Sequence, residues 1–143
     1  VMVARGYVSS VQEAFDRYLD ESAPAYVRRE EPSTIEAIAR VRAAGGVTSI
    51  AHPVRLAGGD RVREEEMIAA FRAAGLQALE VHHSDHAPAD VARYAAIAQR
   101  LGLAPSGGSD YHGTVKPDVR LGFGRGNVRT PALLLEGLRR LAG

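Results

Sequence analysis

The sequence predicts an α/β protein in which parallel strands alternate with helices. Three short runs have the composition of buried strands: residues 47–51, residues 77–81 and the segment from Leu103 onward. Helical patterns of about a dozen residues separate these runs, which is the order expected of parallel βα units. A histidine or an aspartate follows each run. Because functional groups gather at the C-terminal ends of parallel strands, this order predicts one site at one edge of a sheet.

The first part of the chain is predicted to be helical, with an irregular connection after it. Residues 1–6 have the pattern of a helix that ends at glycine, so we expect this chain to be a piece of a longer protein. Ser10 and Glu13 have capping-box spacing and predict the start of the next helix. Its apolar face consists of Val11, Ala14, Phe15, Tyr18 and Leu19. Residues 21–32 hold two prolines and mixed charges, which favours an irregular connection.

The first βα unit follows a second capped helix. Ser33 and Glu36 again have capping-box spacing, and the helix face predicted from the period is Ile35, Ile38, Ala39 and Arg42. The strand over 47–51 is expected to stop at His52-Pro53, because proline cannot donate to a ladder. A loop over 55–62 leads to a helix over 63–74. Its predicted inward residues are Met67, Ile68, Phe71 and Ala74.

Beyond the three strands already described, one further strand and two helices are predicted from the remaining sequence. Pro88 suits the first turn of a helix that ends before Gly102. The predicted inward face of that helix is Val91, Tyr94, Ala95, Ala98 and Leu101. Residues 121–129 are expected to form a short fourth strand. Thr130-Pro131 then begins a last helix, whose apolar face is Leu134, Leu135, Leu138 and Leu141.

Composition restricts the classes of function. The 143 residues suit one ordinary domain, and the formal net charge of +1 gives no electrostatic case for nucleic-acid or membrane binding. Cysteine is absent, so any metal site must use histidine, carboxylate or water ligands. No apolar run is long enough to cross a membrane, and no signal-peptide pattern is present. We therefore expect a cytoplasmic protein without a membrane partner.

The segment 107–112, Gly-Gly-Ser-Asp-Tyr-His, is the strongest candidate for part of a metal site. Asp110 and His112 are two residues apart at a strand end, so both side chains point to one side of the backbone. Carboxylate and imidazole ligands suit zinc, manganese or iron. The two glycines allow a tight, left-handed approach of the backbone. The alternative is an ordinary turn, because Gly-Ser-Asp is common in turns.

Histidines follow the other two strands as well. His52 is either a third metal ligand or a histidine that only hydrogen-bonds in a strand-to-loop turn. Residues 82–86, His-His-Ser-Asp-His, could ligate metal, contact an anionic substrate, donate a proton or form an exposed polar loop. Glu80 lies within the preceding strand and could orient a ligand through a hydrogen bond.

Cationic side chains occur in the loops after these strand ends. They are Arg55, Lys116, Arg120 and Arg125. Cations beside a metal suit a phosphate ester, and the alternative for each is solvated surface charge. The glycine-rich segment 121–127 lacks Rossmann and Walker spacing, and we interpret it as a turn that closes the site.

Several motifs together resemble the PHP family, the polymerase and histidinol phosphatase family of metal-dependent phosphoesterases. They are Ala-His-Pro at 51–53, Leu-Glu-Val at 79–81 with Ser-Asp-His at 84–86, and Gly-Gly-Ser-Asp-Tyr-His-Gly at 107–113. Residues 6–15 and 121–127 are similar to the bacterial branch that includes 3′,5′-nucleoside bisphosphate phosphatases, some of which trim short RNA from the 5′ end. The resemblance covers nearly the whole chain.

The resemblance implies a distorted (β/α)7 TIM-like barrel with two or three divalent metal ions, commonly manganese, iron or zinc. His52, Asp110 and His112 match the metal ligands of the family's last motifs. The family's opening metal motifs have no counterpart in the sequence. Residues 1–143 are therefore expected to be the C-terminal part of a single PHP domain, a partial barrel. The fragment alone should be inactive or poorly metallated unless an N-terminal half of the same protein accompanies it.

The implied chemistry is metal-dependent hydrolysis of phosphate monoesters, with nucleoside 3′,5′-bisphosphates or short RNA 5′ ends as substrates. We predict that Asp110 ligates or bridges metal ions and that His83 contacts the scissile phosphate or the leaving group. Arg55 and Arg125 are predicted to bind a second phosphate. Two alternatives remain: an amidohydrolase-like C–N hydrolase, which also uses histidine and aspartate at strand ends, and a non-catalytic βα module.

Overall fold

A computed structural model describes residues 1–28 and 30–142. The chain divides into two units, Val1–Pro32 and Ser33–Gly143. All of the predicted site residues lie in the second unit.

The first unit consists of helical turns. The amide of Gly6 donates to the Val3 carbonyl and the amide of Tyr7 donates to the Met2 carbonyl, a pairing typical of a helix that ends at glycine. Helix α1 spans Val11–Ala14, with the Ser10 hydroxyl accepting from the Glu13 amide, and a π-helical segment Phe15–Leu19 continues it. The predicted cap is confirmed. The predicted apolar face is largely exposed, however, because Val11, Phe15 and Leu19 are 51%, 53% and 42% exposed.

The second unit contains a three-stranded parallel sheet. Its strands are β1 Ser49–Ile50, β2 Ala78–His82 and β3 Ala104–Gly107, in the spatial order β1-β2-β3. The three predicted strands, their parallel direction and their order along the chain are confirmed. Strand β1 is shorter than expected. The sheet establishes the α/β class, and closure into a partial barrel stays a prediction.

Among the described residues of this unit, four α-helices accompany the sheet: α2 Thr34–Ala43, α3 Arg61–Ala73, α4 Pro88–Leu101 and α5 Leu133–Arg139. Ser33 and Glu36 form the predicted capping box of α2. Asp60 caps α3 by accepting from the Val62 and Arg63 amides, a start two residues earlier than the sequence indicated. Pro88 occupies the first turn of α4, as expected.

The core lies between β2 and helices α3 and α4. Ile68, Leu79, Val81, Tyr94 and Ile97 are each at most 1% exposed. Burial of side chains of this size contributes about 1.5–3 kcal/mol each relative to exposure. The Tyr94 hydroxyl donates to the buried Glu64 carboxylate, and Arg93 pairs with the same carboxylate. The central strand therefore packs against an apolar core in which the buried Glu64 carboxylate has hydrogen-bond partners.

Further sequence predictions differ from the structure, among them the predicted face of α2, of which Ile38 alone is buried. The predicted fourth strand over 121–129 is wrong, because the only bridge there joins Arg120 to Gly124 within a tight turn of the described chain. Glycines with positive φ at 122, 124 and 126 curl this segment instead of extending it. In α5, Leu135 is exposed although it was expected on the apolar face, and Leu141 of the same predicted face lies beyond the helix end and is also exposed. In α4, Ala95 is exposed and Ile97 takes its place in the core.

Among residues 1–28 and 30–142, no helix combines the length and the apolar character needed to cross a membrane.

Candidate active site

The parallel sheet brings the predicted site residues to one edge. His52 follows β1, His83 follows β2 and Asp110 follows β3. The ring centroids of His52 and His83 are 5.6 Å apart, and His83 Nε2 lies 3.7 Å from Asp110 Oδ2. His83 therefore stands between the groups contributed by the outer strands, as parallel pairing predicts.

Two of the predicted ligands have unusual backbone conformations. His52 and Asp110 are the non-glycine residues of the described chain with positive φ, 32° and 57° respectively. Such conformations cost about 1–3 kcal/mol and persist where surrounding structure fixes them. At His52 the fixing contact is a hydrogen bond of 2.5 Å from its amide to Glu80 Oε2. Glu80 thus orients the residue after β1, in line with its expected supporting role.

The glycine pair at 107–108 permits close packing of the strand ends. A Cβ on Gly107 would lie 2.7 Å from the His82 Cβ, and one on Gly108 would lie 3.1 Å from Glu80 Oε1. The expected close approach is present. Neither glycine has a positive φ, so the expected left-handed backbone occurs at Asp110 and not at the glycines.

Asp110 is the centre of a charged cluster at the end of β3. Its Oδ1 lies 3.0 Å from His112 Nε2, and its Oδ2 accepts a 2.6 Å hydrogen bond from Lys116 Nζ. The Lys116 hydrogen bond, followed by the one from His112, holds the pKa of Asp110 well below the usual aspartate range. The carboxylate is therefore ionised, with the Lys116 amine and the His112 imidazole as its partners. Lys116 is the sole lysine of the sequence.

His83 is buried, and its two ring nitrogens have different surroundings. Its Nδ1 accepts a 3.0 Å hydrogen bond from the Asp85 amide, so the neutral ring carries its proton on Nε2. That Nε2 is buried without a hydrogen-bond partner among the described residues. Burial lowers the pKa of His83, while Glu80, Asp85 and Asp110 oppose the shift. The result is a neutral imidazole with a free N–H donor beside Asp110.

The other histidines of the 82–86 segment have different environments. His86 Nδ1 lies 2.8 Å from the Val81 carbonyl, and its ring packs 4.8 Å from the Tyr94 ring, so it joins the strand end to the core. Burial lowers the pKa of His82, and His86 lowers it further. Of the three histidines in residues 82–86, His83 is therefore the one whose ring nitrogen lies near Asp110.

Asp85 forms the centre of a second charged cluster. Its Oδ2 pairs with Arg55 and its Oδ1 accepts a 2.9 Å hydrogen bond from Arg125 Nη1. Burial would raise the pKa of Asp85, but the hydrogen bonds from Arg55 and Arg125 outweigh it and lower the pKa. Arg120 instead lies over the Phe123 ring, at 5.6 Å from its centroid. Of the four cations considered from sequence, two therefore share one carboxylate and a third binds Asp110.

A metal centre requires more ligands than these residues bring together. Within residues 1–28 and 30–142, no three histidine or acidic side chains are close enough to enclose an ion. The donor set still fits part of a centre, because an ionised carboxylate lies against an imidazole and a buried imidazole nitrogen nearby is unpaired. Metal ligation by His52, Asp110 and His112 thus stays a prediction.

Sequence reasoning missed two features of the site. The 82–86 segment drew attention to Asp85, but nothing in the spacing indicated that it pairs with arginines 30 and 40 residues away. Likewise, Lys116 was considered for substrate and not for Asp110. The available signal was the number of arginines in the strand-end loops, because an aspartate among several arginines is expected to pair with one of them.

Comparison with known proteins gave partial matches. No model of a known protein family matches the chain. A 3′,5′-nucleoside bisphosphate phosphatase from Chromobacterium violaceum is 38% identical over 111 residues, which are 78% of this chain and 39% of that protein. A 5′-3′ exoribonuclease from Haemophilus influenzae is 35% identical over 112 residues, which are 78% of this chain and 40% of that protein.

Two solved structures are similar along almost the whole chain. One, from Bifidobacterium adolescentis, is described as a metal-dependent phosphoesterase; it has a TM-score of 0.76 and 33% identity, covering 99% of this chain and 48% of that one. Another is an amidohydrolase from Chromobacterium violaceum with bound sulfate, with a TM-score of 0.67 and 31% identity, covering 98% and 48%. These relatives support a phosphoesterase family. The chain spans about half of these structures and about two fifths of the curated relatives.

Proposed function

We propose that this chain is part of a metal-dependent hydrolase of phosphate monoesters. The observation that carries the proposal is the position of His83, whose Nε2 is 3.7 Å from Asp110 Oδ2 at the ends of two adjacent parallel strands. A neutral N–H donor beside an ionised carboxylate suits a reaction in which an oxyanion develops next to a cation. The names of the relatives support the same reaction class.

In this proposal, His52, Asp110 and His112 hold part of the metal centre. Divalent ions such as manganese, iron or zinc, two or three in the whole enzyme, would supply a Lewis acid and a bound water of lowered pKa. The Asp110 carboxylate is ionised near neutral pH because its pKa is lowered. His83 Nε2 donates a hydrogen bond to a phosphoryl oxygen or to the leaving-group oxygen. Burial keeps this imidazole neutral, so the donor needs no prior protonation.

The substrate in this proposal carries two phosphates, or a phosphate at the 5′ end of a short RNA. Arg55 and Arg125 supply guanidinium groups at the same sheet edge, and a guanidinium pairs with phosphate through parallel hydrogen bonds. A bisphosphate phosphatase and an exoribonuclease among the relatives support nucleotide substrates. The remaining metal ligands would come from a segment equivalent to the part of these relatives that the chain does not match.

Hydrolysis of a C–N bond is the second candidate, because one structural neighbour is named an amidohydrolase. The phosphatase and phosphoesterase names of two other relatives favour the first candidate. The two candidates share their metal ligands. They differ in the leaving group, so substrate assays separate them.

The test is metal content and phosphate release on two proteins: the 143-residue chain and the complete product of its coding region, hereafter the complete gene product. Each is loaded with Mn²⁺ or Zn²⁺ and given adenosine 3′,5′-bisphosphate, with dihydroorotate and N-acyl amino acids as C–N substrates. The proposal predicts bound metal and phosphate release by the complete gene product. Absence of metal and of phosphate release would sink it, whereas turnover confined to the C–N substrates would favour the second candidate.

A further inference from the structure

Asp85 joins two arginines that come from distant parts of the chain. Arg55 follows β1 in the short 3-10 turn Pro53–Arg55, and Arg125 lies in the glycine-rich segment after β3. Each carboxylate oxygen takes one guanidinium, Oδ2 from Arg55 and Oδ1 from Arg125. Because an arginine keeps its charge at any accessible pH, the trio carries a net charge of about +1. One aspartate thereby fixes the separation of two cations.

The segment that carries Arg125 is docked onto the loop that carries Asp85. The Asn127 side chain donates to the Ser84 carbonyl at 2.8 Å, and the Ser84 hydroxyl donates to the Ser109 carbonyl at 2.7 Å. Gly124 adopts a φ of 58°, and a Cβ there would overlap the Ser84 hydroxyl. The turn at Gly124 therefore lies so close to Ser84 that only glycine fits there. This packing places the Arg125 backbone independently of the ion pair.

The guanidinium groups retain donors for a ligand. The Arg55 and Arg125 side chains are 50% and 55% exposed, whereas the Asp85 side chain is 25% exposed. Each guanidinium has five N–H donors and gives one to Asp85, so several remain for an incoming anion. The Asp85 amide also donates to His83 Nδ1, which ties this cluster to the proposed catalytic histidine.

We propose that Asp85 is a positioning residue that arranges Arg55 and Arg125 into a single anion-binding pair for the second phosphate of the substrate. The identity of the substrate rests on the proposed function; the arrangement of the pair does not. An anion bridging both guanidinium groups meets donors that are already oriented. Pre-orientation lowers the side-chain entropy lost on binding, by about 0.5–1.5 kcal/mol for each immobilised side chain.

A purely electrostatic role for Asp85 predicts the opposite effect on affinity. An aspartate that only neutralises two arginines competes with an incoming phosphate, so its removal should tighten anion binding. A positioning residue holds the arginines where the phosphate needs them, so its removal should weaken binding despite the gain in positive charge. The direction of the change therefore separates the two roles.

The test is calorimetric binding of adenosine 3′,5′-bisphosphate to the metal-free complete gene product. We expect Asp85→Asn to weaken binding about tenfold. The matched control Asp118→Asn removes the same charge from an exposed aspartate and should leave affinity within about twofold. Arg125→Gln should weaken binding as much as Asp85→Asn, and combining the two should add little, because Asp85 acts through the arginines. Unchanged or tighter binding by Asp85→Asn, or full additivity with Arg125→Gln, would overturn the proposal.

A kinetic measurement excludes a general loss of structure. With metal-loaded complete gene product, Asp85→Asn should raise the KM for adenosine 3′,5′-bisphosphate about tenfold with little change in kcat. The kinetic constants for p-nitrophenyl phosphate, which carries a single phosphate, should stay within about twofold. An equal loss for both substrates would assign Asp85 a merely structural role. If the wild type turns over neither substrate, the proposed function fails, and the binding result still decides the positioning role.

Discussion

The two charged clusters at the sheet edge differ in what surrounds their carboxylates. Asp110, after β3, contacts an imidazole and an amine, and its backbone has a positive φ. Asp85, after β2, lies between two guanidinium groups on an ordinary backbone. Imidazole and amine partners can lose a proton or move aside for a metal ion, whereas guanidinium groups stay charged. This difference is the basis on which we propose a cation site around Asp110 and an anion site around Asp85.

His83 connects the two clusters. Its Nδ1 accepts from the Asp85 amide and its Nε2 lies near Asp110. The hydrogen bond on one side fixes which nitrogen carries the proton on the other. The loop after β2 therefore sets both the arginine pair and the orientation of the proposed donor.

The largest effect is expected from removing the Asp110 carboxylate. Asp110→Ala should lower both metal affinity and phosphate release at least about a hundredfold, because even an outer-shell partner of a metal ligand contributes that order. Bound metal after dialysis and phosphate release by the complete gene product check this. Asp118→Ala, at an exposed aspartate, is the control. Full activity of Asp110→Ala would show that Asp110 is not part of the active site and would contradict a cation site around it.

A smaller loss is expected from changing the connecting histidine. His83→Ala should lower kcat about a hundredfold, within the range known for proton or hydrogen-bond donors, while metal content stays unchanged. His83→Gln, which keeps an N–H donor, should recover part of the loss. Steady-state kinetics and metal analysis distinguish the outcomes. A parallel loss of metal would make His83 a ligand and contradict its assignment as a donor.

Lys116 is expected to oppose metal binding, because its amine occupies Asp110 Oδ2. Lys116→Met should tighten Mn²⁺ or Zn²⁺ binding about fivefold, since a competing ion pair and a positive charge are both removed. Calorimetry measures the affinity. Weaker metal binding by the variant would show that the amine supports the cation site.

The smallest effect concerns acid stability of the anion site. The pKa of Asp85 is lowered in the folded protein, so its ion pairs stabilise the fold above the ordinary aspartate pKa of about 3.9. This contribution should disappear as the pH falls below that value and the carboxylate takes up a proton. Unfolding by urea should therefore show a difference between wild type and Asp85→Asn of up to about 1 kcal/mol at pH 7, and this difference should shrink as the pH falls below about 3.9. A difference that grows toward acid pH would contradict the ion-pair assignment.

Local patterns were sufficient to predict most of the regular structure. The Ser33 and Glu36 capping box, the Pro88 helix start and the alternation of strand and helix each depend on neighbouring residues. The segment 121–129 was misassigned because its apolar residues alternate with glycines, and glycines with positive φ favour a turn over a strand. The exposed apolar faces of α1 and α5 show that helical period predicts which residues share a face, but not what covers it.

The site was predictable to the extent that topology determines it. Parallel strands had to bring His52, His83 and Asp110 to one edge, and the sequence placed them at strand ends. The Asp85 ion pairs and the Lys116 contact depend on loop conformations that no spacing encodes. The positive φ of His52 depends likewise on Glu80, a residue of the neighbouring strand. Contacts across strands therefore marked the limit of the sequence prediction.

The most direct test of the two-cluster account is a crossed calorimetric titration of the complete gene product. Wild type, Asp110→Ala and Asp85→Asn are each titrated with Mn²⁺ and, metal-free, with adenosine 3′,5′-bisphosphate. The account predicts that Asp110→Ala loses the metal and keeps the nucleotide within about threefold. It predicts that Asp85→Asn keeps the metal and binds the nucleotide about tenfold more weakly. Loss of both ligands in both variants, or of neither ligand in either, would contradict separate cation and anion sites.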